Sequence, residues 1–296
     1  MIYDSGEDWR AAPHKRVMLF GMSGLGKTHL SALLRASGEW FHYSVDYRIG
    51  TRYLGEEIAD DFKREAMKVP LLRTLLMTDS VRISSNITFQ NLAPLSCWVG
   101  KPGDPAKGGM PFKEYRRRQA LHREAEIAAM RDSTRFIARA EDIYGYPHFV
   151  CDTSGSICEV VEPENPDDPL LARLERLMLP VWIRGTEAHT DELIRRFDRA
   201  PKPMYYQPAF LEAAWRDYGE AHPGPVDPDA FIRWTYARAL AARQPRYAAL
   251  ARRGVTVEAA EAAAVVTPDD FTDLIARAID RKTGAREGAG TDPEDA

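Results

Sequence analysis

Eight consecutive residues, Gly21-Met22-Ser23-Gly24-Leu25-Gly26-Lys27-Thr28, combine the residue types that grip an anion. Glycines let a short loop curl until its backbone N–H groups converge, lysine adds a long-reaching positive charge, and a threonine hydroxyl suits a hard cation. The segment fills the pattern G-x-x-x-x-G-K-[ST] at every fixed position. In that role Gly21, Ser23, Gly24, Leu25, Gly26, Lys27, Thr28 and His29 line the phosphates of a nucleotide. Lys27 reaches the β- and γ-phosphates, and Thr28 offers its hydroxyl to Mg²⁺. The plain alternative is a glycine-rich turn.

Two carboxylates fall at the ends of apolar runs. Asp152 closes His148-Phe149-Val150-Cys151 and is the candidate second holder of Mg²⁺. The small residues after it, Thr153-Ser154-Gly155-Ser156, let backbone and hydroxyls approach a ligand. Asp46 follows the run Phe41–Val45, with Arg52 six residues on. A carboxylate there orients or deprotonates an attacking hydroxyl. For both, a simple strand-end turn is the alternative. Further on, Asp191–Tyr206 reads as a helix end and a Pro-rich stop, with Arg195, Arg196 and Arg199 placed to neutralise phosphate charge or simply to face water.

The order of phosphate loop, Asp46 after strand two, the small-residue turn at 153–156 after strand three, and an Arg-rich segment after strand four resembles the small phosphate-loop kinases, shikimate, gluconate and nucleotide kinases among them. The resemblance implies that Asp46 lies near the acceptor hydroxyl, that Gly155 and its neighbours touch substrate, and that Arg195, Arg196 and Arg199 act as lid arginines, with Lys27, Asp46, Asp152 and Arg196 carrying catalysis. It covers roughly residues 14–55 and 145–215. The chain departs from shikimate kinases in having Thr153-Ser154-Gly155-Ser156 where they carry three consecutive glycines, and in its segment 80–145.

Elements must position these groups. Apolar runs at Arg16–Phe20, Phe41–Val45, Pro147–Cys151 and Leu179–Ile183 predict four strands that end in glycine or polar residues. Helical patterns alternate with them, beginning with one from Lys27 to Ser37-Gly38. The expected fold is therefore α/β, a three-layer phosphate-loop NTPase architecture with a mostly parallel sheet, in which ligand sits outside the carboxyl ends of the strands. Residues 14–281 are expected to form one domain. Segment 80–145 is expected to be an insertion or lid with a long charged helix from Phe112 to Asp142. The region 207–281 adds helices at about Pro208–Glu220, Asp227–Arg243 and Pro268–Ile279. Residues 1–13 and 282–296 are polar and predicted to be mobile.

The inventory excludes several functions. A formal charge of −4 over 296 residues provides no broad positive field, so nucleic acid is disfavoured as a partner. No window approaches the roughly 18 apolar residues of a membrane span, so no membrane partner and a cytoplasmic location are expected. Cys97, Cys151 and Cys158 suit buried reduced thiols, and the seven histidines form no ligand pattern. Arg116-Arg117-Arg118 could bind phosphate, supply an arginine finger or form a solvated basic turn, the last favoured, and Arg246-Tyr247 could touch ligand or form a basic helix face, again the latter favoured. His122 is placed on a helical surface. The leading expectation is a protein that binds Mg²⁺–ATP, the nucleotide as substrate, and transfers or hydrolyses its γ-phosphoryl group, with ATP preferred over GTP by default. Alternatives are an ATPase switch or assembly factor acting on a protein partner, and a nucleotide-binding regulator without turnover.

Overall fold

The computed structural model describes residues 2–289; the part of the expected mobile tail at 290–296 lies outside the described residues. In chain order come helix α1 (Gly6–Ala11), strand β1 (Arg16–Phe20), α2 (Lys27–Ala36), β2 (Trp40–Ser44), α3 (Val45–Arg48), α4 (Gly55–Ala66), α5 (Pro70–Met77), α6 (Ala93–Val99) and α7 (Phe112–Asp142). They are followed by β3 (His148–Asp152), α8 (Ile157–Val160), α9 (Pro169–Glu175), β4 (Leu179–Arg184), α10 (Glu187–Arg199), α11 (Pro208–Ala221), α12 (Pro228–Ala251), β5 (Val255–Glu258), α13 (Ala259–Ala263) and α14 (Pro268–Ala289). The chain divides into two compact units. The first comprises Met1–Tyr43, Met130–Ile194 and Leu240–Ala296, the second Ser44–Ala129 and Arg195–Ala239. The single domain expected from the sequence is thus built as two units, and α7 contributes to both.

The first unit holds a five-stranded parallel sheet in the order β2-β3-β1-β4-β5. Val17, Met18, Leu19 and Phe20 of β1 are all fully buried. Successive side chains of a strand point to opposite faces, so both faces of the sheet are covered, as a parallel sheet with helical crossovers requires. Register sets Leu19 opposite Asp152 and Phe20 opposite Trp182, which brings the carboxyl ends of β1, β3 and β4 to one rim. The fifth strand extends the sheet beyond the four expected.

The N-terminal segment corrects its sequence reading. Where polar composition suggests an irregular mobile stretch, Ser5 caps α1 by accepting from Asp8 N. Trp9 is fully buried, with its indole N–H donating to Thr272 O of α14 at 2.9 Å. One large aromatic with a distant partner outweighs the polarity of its neighbours. Likewise α14 runs on to Ala289, past the Lys282 boundary where a mobile tail was expected to begin.

The second unit is helical. Its core includes Ile49, Leu54, Ile58, Leu95, Trp98, Tyr115, Tyr206, Leu211 and Phe231. Tyr115 Oη and Gln119 Nε2 of α7 both donate to Met204 O, and Gln119 Oε1 accepts from Tyr206 N, so this face of α7 satisfies the backbone of the irregular segment beside it. His122, expected on the surface, is buried on the same face and stacked on Tyr205. Burial lowers its pKa to about 4. No helix of the described residues is long and apolar enough to cross a membrane.

Candidate functional site

The glycine loop leaves β1 at Gly21 and enters α2 at Lys27, at the carboxyl-end rim of the sheet. Gly21 has φ +138°, and a Cβ there would stand 2.6 Å from Ile183 O, so backbone and neighbour both demand glycine. Gly26, in left-handed conformation, offers no side chain to cap α2, and the helix's first turn therefore presents its N–H groups toward the loop. Lys27 is buried, and its Nζ donates to Gly21 O at 2.9 Å and Met22 O at 3.0 Å. The ammonium is thus drawn back across the loop by the loop's own carbonyls. Thr28 and His29 are exposed at the start of α2. Leu25 is buried, packed toward Gly185, so its backbone and not its side chain faces the loop interior.

Neighbouring elements fix the loop. Gly24 abuts Leu193 of α10, where a Cβ on the glycine would come within 2.9 Å of Leu193 Cδ2. On the β3 side, Gly155 lies against Ser23, with a Cβ at 155 placed 2.6 Å from Ser23 Oγ. Thr153 anchors that turn: its Oγ1 donates to Leu19 O at 2.9 Å and its backbone N–H to the same oxygen at 3.2 Å. Thr153, Ser154 and Ser156 are buried, so these hydroxyls build the turn more than they offer a ligand surface.

Asp152 is buried at the end of β3, one strand over from the loop. Beside it on β2 stands His42, also buried, with Nε2 at 3.7 Å from Asp152 Oδ2. Nothing in the sequence links these residues, 110 positions apart; only strand pairing does. The first unit therefore holds the loop with Thr28 at its end, Asp152 one strand over, and Gly155 against Ser23.

The remaining predicted residues belong to the second unit. Asp46 does not end a strand, as expected, but lies in the first turn of α3, because Ser44 caps that helix by accepting from Tyr47 N at 3.3 Å and so closes β2 one residue early. Arg52 is exposed on a π-helical turn, Ile49–Tyr53. Arg195, Arg196 and Arg199 are exposed on the last turns of α10, with Arg199 Nε donating to Arg195 O. The arginine triplet of α7 is engaged elsewhere in its own unit. Arg116 pairs with Glu212, and Arg117 and Arg118 both pair with Glu114, while Arg118 also reaches Asp61. Hydrogen bonds from Arg117 and then Arg118 hold the Glu114 carboxyl down at about 2.

Sequence reasoning missed the support beneath the turn. Far from forming a basic helix face, the stretch Arg243–Tyr247 of α12 reaches inward. Arg243 pairs with Glu159, each side chain only 3% exposed. Arg246 donates to Cys158 O and Val161 O, Gln244 Nε2 to Met22 Sδ, and Tyr247 Oη to Gly155 O. Pro245 inside the helix was the available signal, since an interior proline survives only where tertiary contacts offset its lost N–H bond. Of the three free cysteines, Cys151 and Cys158 are buried as expected, and burial pushes the Cys158 thiol up to about 12; Cys97 is exposed.

The donor set suits magnesium. Among the described residues no group of three or more His, Cys, Asp or Glu could hold a metal by itself. A threonine hydroxyl and one carboxylate are the hard oxygen ligands Mg²⁺ takes when phosphate oxygens and water complete its shell. No protein-family model, no curated protein and no solved structure matches this chain.

Proposed function

We propose that this chain binds Mg²⁺–ATP at the Gly21–Thr28 loop and transfers or hydrolyses the γ-phosphoryl group. The observation that carries this is the register of β1 and β3. It sets Asp152 beside the strand that delivers the loop, while Lys27 and the uncapped start of α2 converge on the same loop. Backbone N–H groups and the helix N-terminus complement a polyphosphate, and Lys27, now held by two carbonyls, exchanges them for phosphate oxygens. Thr28 and Asp152 would hold the metal ion, which supplies charge neutralisation on the transferring group. The rigid turn under Gly155 keeps Ser23 and the loop backbone in place, so positioning, the larger part of phosphoryl-transfer catalysis, is built into the sheet rim.

The acceptor role of Asp46 and Arg52, and the phosphate role of Arg195, Arg196 and Arg199, remain as the kinase resemblance implies them. A second reading, an ATPase acting on a protein partner, is favoured by the apolar surface of α5 described below. The test is Mg²⁺-dependent ADP formation by the purified protein, alone and with a pooled extract of small metabolites, with Lys27→Ala as control. Turnover stimulated by extract and lost in Lys27→Ala supports a kinase. Unstimulated Lys27-dependent turnover supports the ATPase, and absence of both Lys27-dependent turnover and ATP binding overturns the proposal.

A further inference from the structure

The second unit leaves one helix without a core to cover. α5 buries none of its residues, although its sequence, PLLRTLLM, is strongly apolar. Leu71 is 67% and Met77 72% exposed, and Val69 and Leu72 are exposed as well. Proline at the first helical position explains why the helix forms; nothing in its own unit explains why it is apolar. Beside it lies a cleft of about 770 Å³ lined by Met67, Leu76, Met77, Val81, Arg82 and Ile83. Methionines and branched aliphatics make such a wall adaptable to an inserted side chain.

The charges around this surface are uneven. Lys63 and Lys68 are engaged by Asp60 and Glu65. Arg73 and Arg82 are exposed and have no side-chain partner among the described residues, and against them stands one carboxylate, Asp79, which is exposed and lines the same cleft. Arg73 lies four residues from both Val69 and Met77, so it shares their face of α5. An apolar strip and cleft carrying two arginines against one carboxylate keeps a net positive charge, complementary to an amphipathic segment with acidic flanks.

We infer that α5 and the adjoining cleft form a docking site for an acidic amphipathic helix of a different protein, its apolar residues entering the cleft and its carboxylates meeting Arg73 and Arg82. A second copy of this chain fits less well, because a two-fold contact through α5 would set Arg73 close to its own counterpart. A lipid surface fits less well too. α5 spans only about 12 Å, and a flat bilayer cannot fill a concave cleft.

Two fluorescent peptides of three helical turns test this, each with Leu at i, i+3, i+4 and i+7, one flanked by Glu and the other by Lys. The Glu peptide should bind saturably, at least tenfold tighter than the Lys peptide. Leu72→Asp, one turn from the cleft-lining Leu76, and Met77→Asp should each weaken it at least tenfold. The double variant Arg73→Glu/Arg82→Glu should reverse the preference, a result that damage to folding cannot mimic. All four positions face solvent, and circular dichroism should show unchanged helicity. The inference is overturned if neither peptide binds, or if both bind equally. It is overturned also if phosphatidylserine vesicles bind in a Leu72-dependent way while the Glu peptide does not, or if sedimentation shows a dimer that Leu72→Asp dissociates. None of these outcomes depends on ATP turnover.

Discussion

Gly155, at the turn after β3, stands against Ser23 of the glycine loop so closely that a methyl group on it would lie 2.6 Å from the serine oxygen. Two segments more than a hundred residues apart are thereby packed backbone to side chain. Because Ser23 is exposed and its loop can shift outward to relieve the clash, Gly155→Ala should cost less than about 1 kcal/mol of stability. It should nonetheless displace the loop and lower Lys27-dependent ATP turnover at least tenfold. Adding Ser23→Gly removes the obstructing oxygen and should restore much of the lost rate. Steady-state kinetics of the two singles and the double decide it; no rescue would mean that Gly155 acts other than through Ser23.

The Arg243–Glu159 pair is nearly sealed from water. Breaking a buried pair from one side leaves an uncompensated charge, so Arg243→Met should destabilise by about 3–5 kcal/mol. Replacing both partners removes the desolvation cost on both sides, so Arg243→Met/Glu159→Met should be more stable than Arg243→Met. Urea unfolding of the three proteins gives the comparison, and a double variant worse than the single would contradict it.

His122 makes stability fall in acid. Burial holds its folded pKa at about 4 against an ordinary 6.5, so between those values the unfolded chain binds the extra proton. The native state is favoured fully above pH 6.5 and loses that advantage as pH drops toward 4. From pH 7.5 to pH 4.5 the loss from this group is on the order of 2–3 kcal/mol. His122→Gln should flatten the pH dependence by that amount in urea titrations, and an unchanged slope would show that the ring is protonated in the fold.

Trp9 anchors α1 on α14 through its buried ring and its bond to Thr272 O. Trp9→Ala should cost about 3–5 kcal/mol. Thermal unfolding should show the loss, and hydrogen exchange should speed up most in α14. A change confined to residues 5–11 would show that α1 is an appendage.

Local signals made much of this legible. β1 was readable because the four-residue apolar run Val17–Phe20 is cut off by Gly21, and α7 because its charged helical pattern runs unbroken from Phe112 to Asp142. The loop was readable because its chemistry is carried by adjacent residues. What escaped depends on distance. β5 is four residues long, and only pairing with β4 makes it a strand. His42 meets Asp152 through strand order, Trp9 meets α14 across most of the chain, and Tyr247 meets Gly155 across 92 residues. The division into two units was hidden for the same reason, since α7, α10 and α12 each pass from one to the other with no break in helical pattern.

The first unit is assembled from three separated stretches of chain. The neighbours of β1, β3 and β4, are made more than a hundred residues after it, and the partner of Gly6, Asp280, comes 274 residues later. Contacts so distant in sequence delay folding, because the entropy of closing long loops is spent before any pairing rewards it. Until β3 and β4 have been made, then, an apolar parallel strand waits with both edges open, and over that stretch of synthesis the nascent chain is most prone to aggregate.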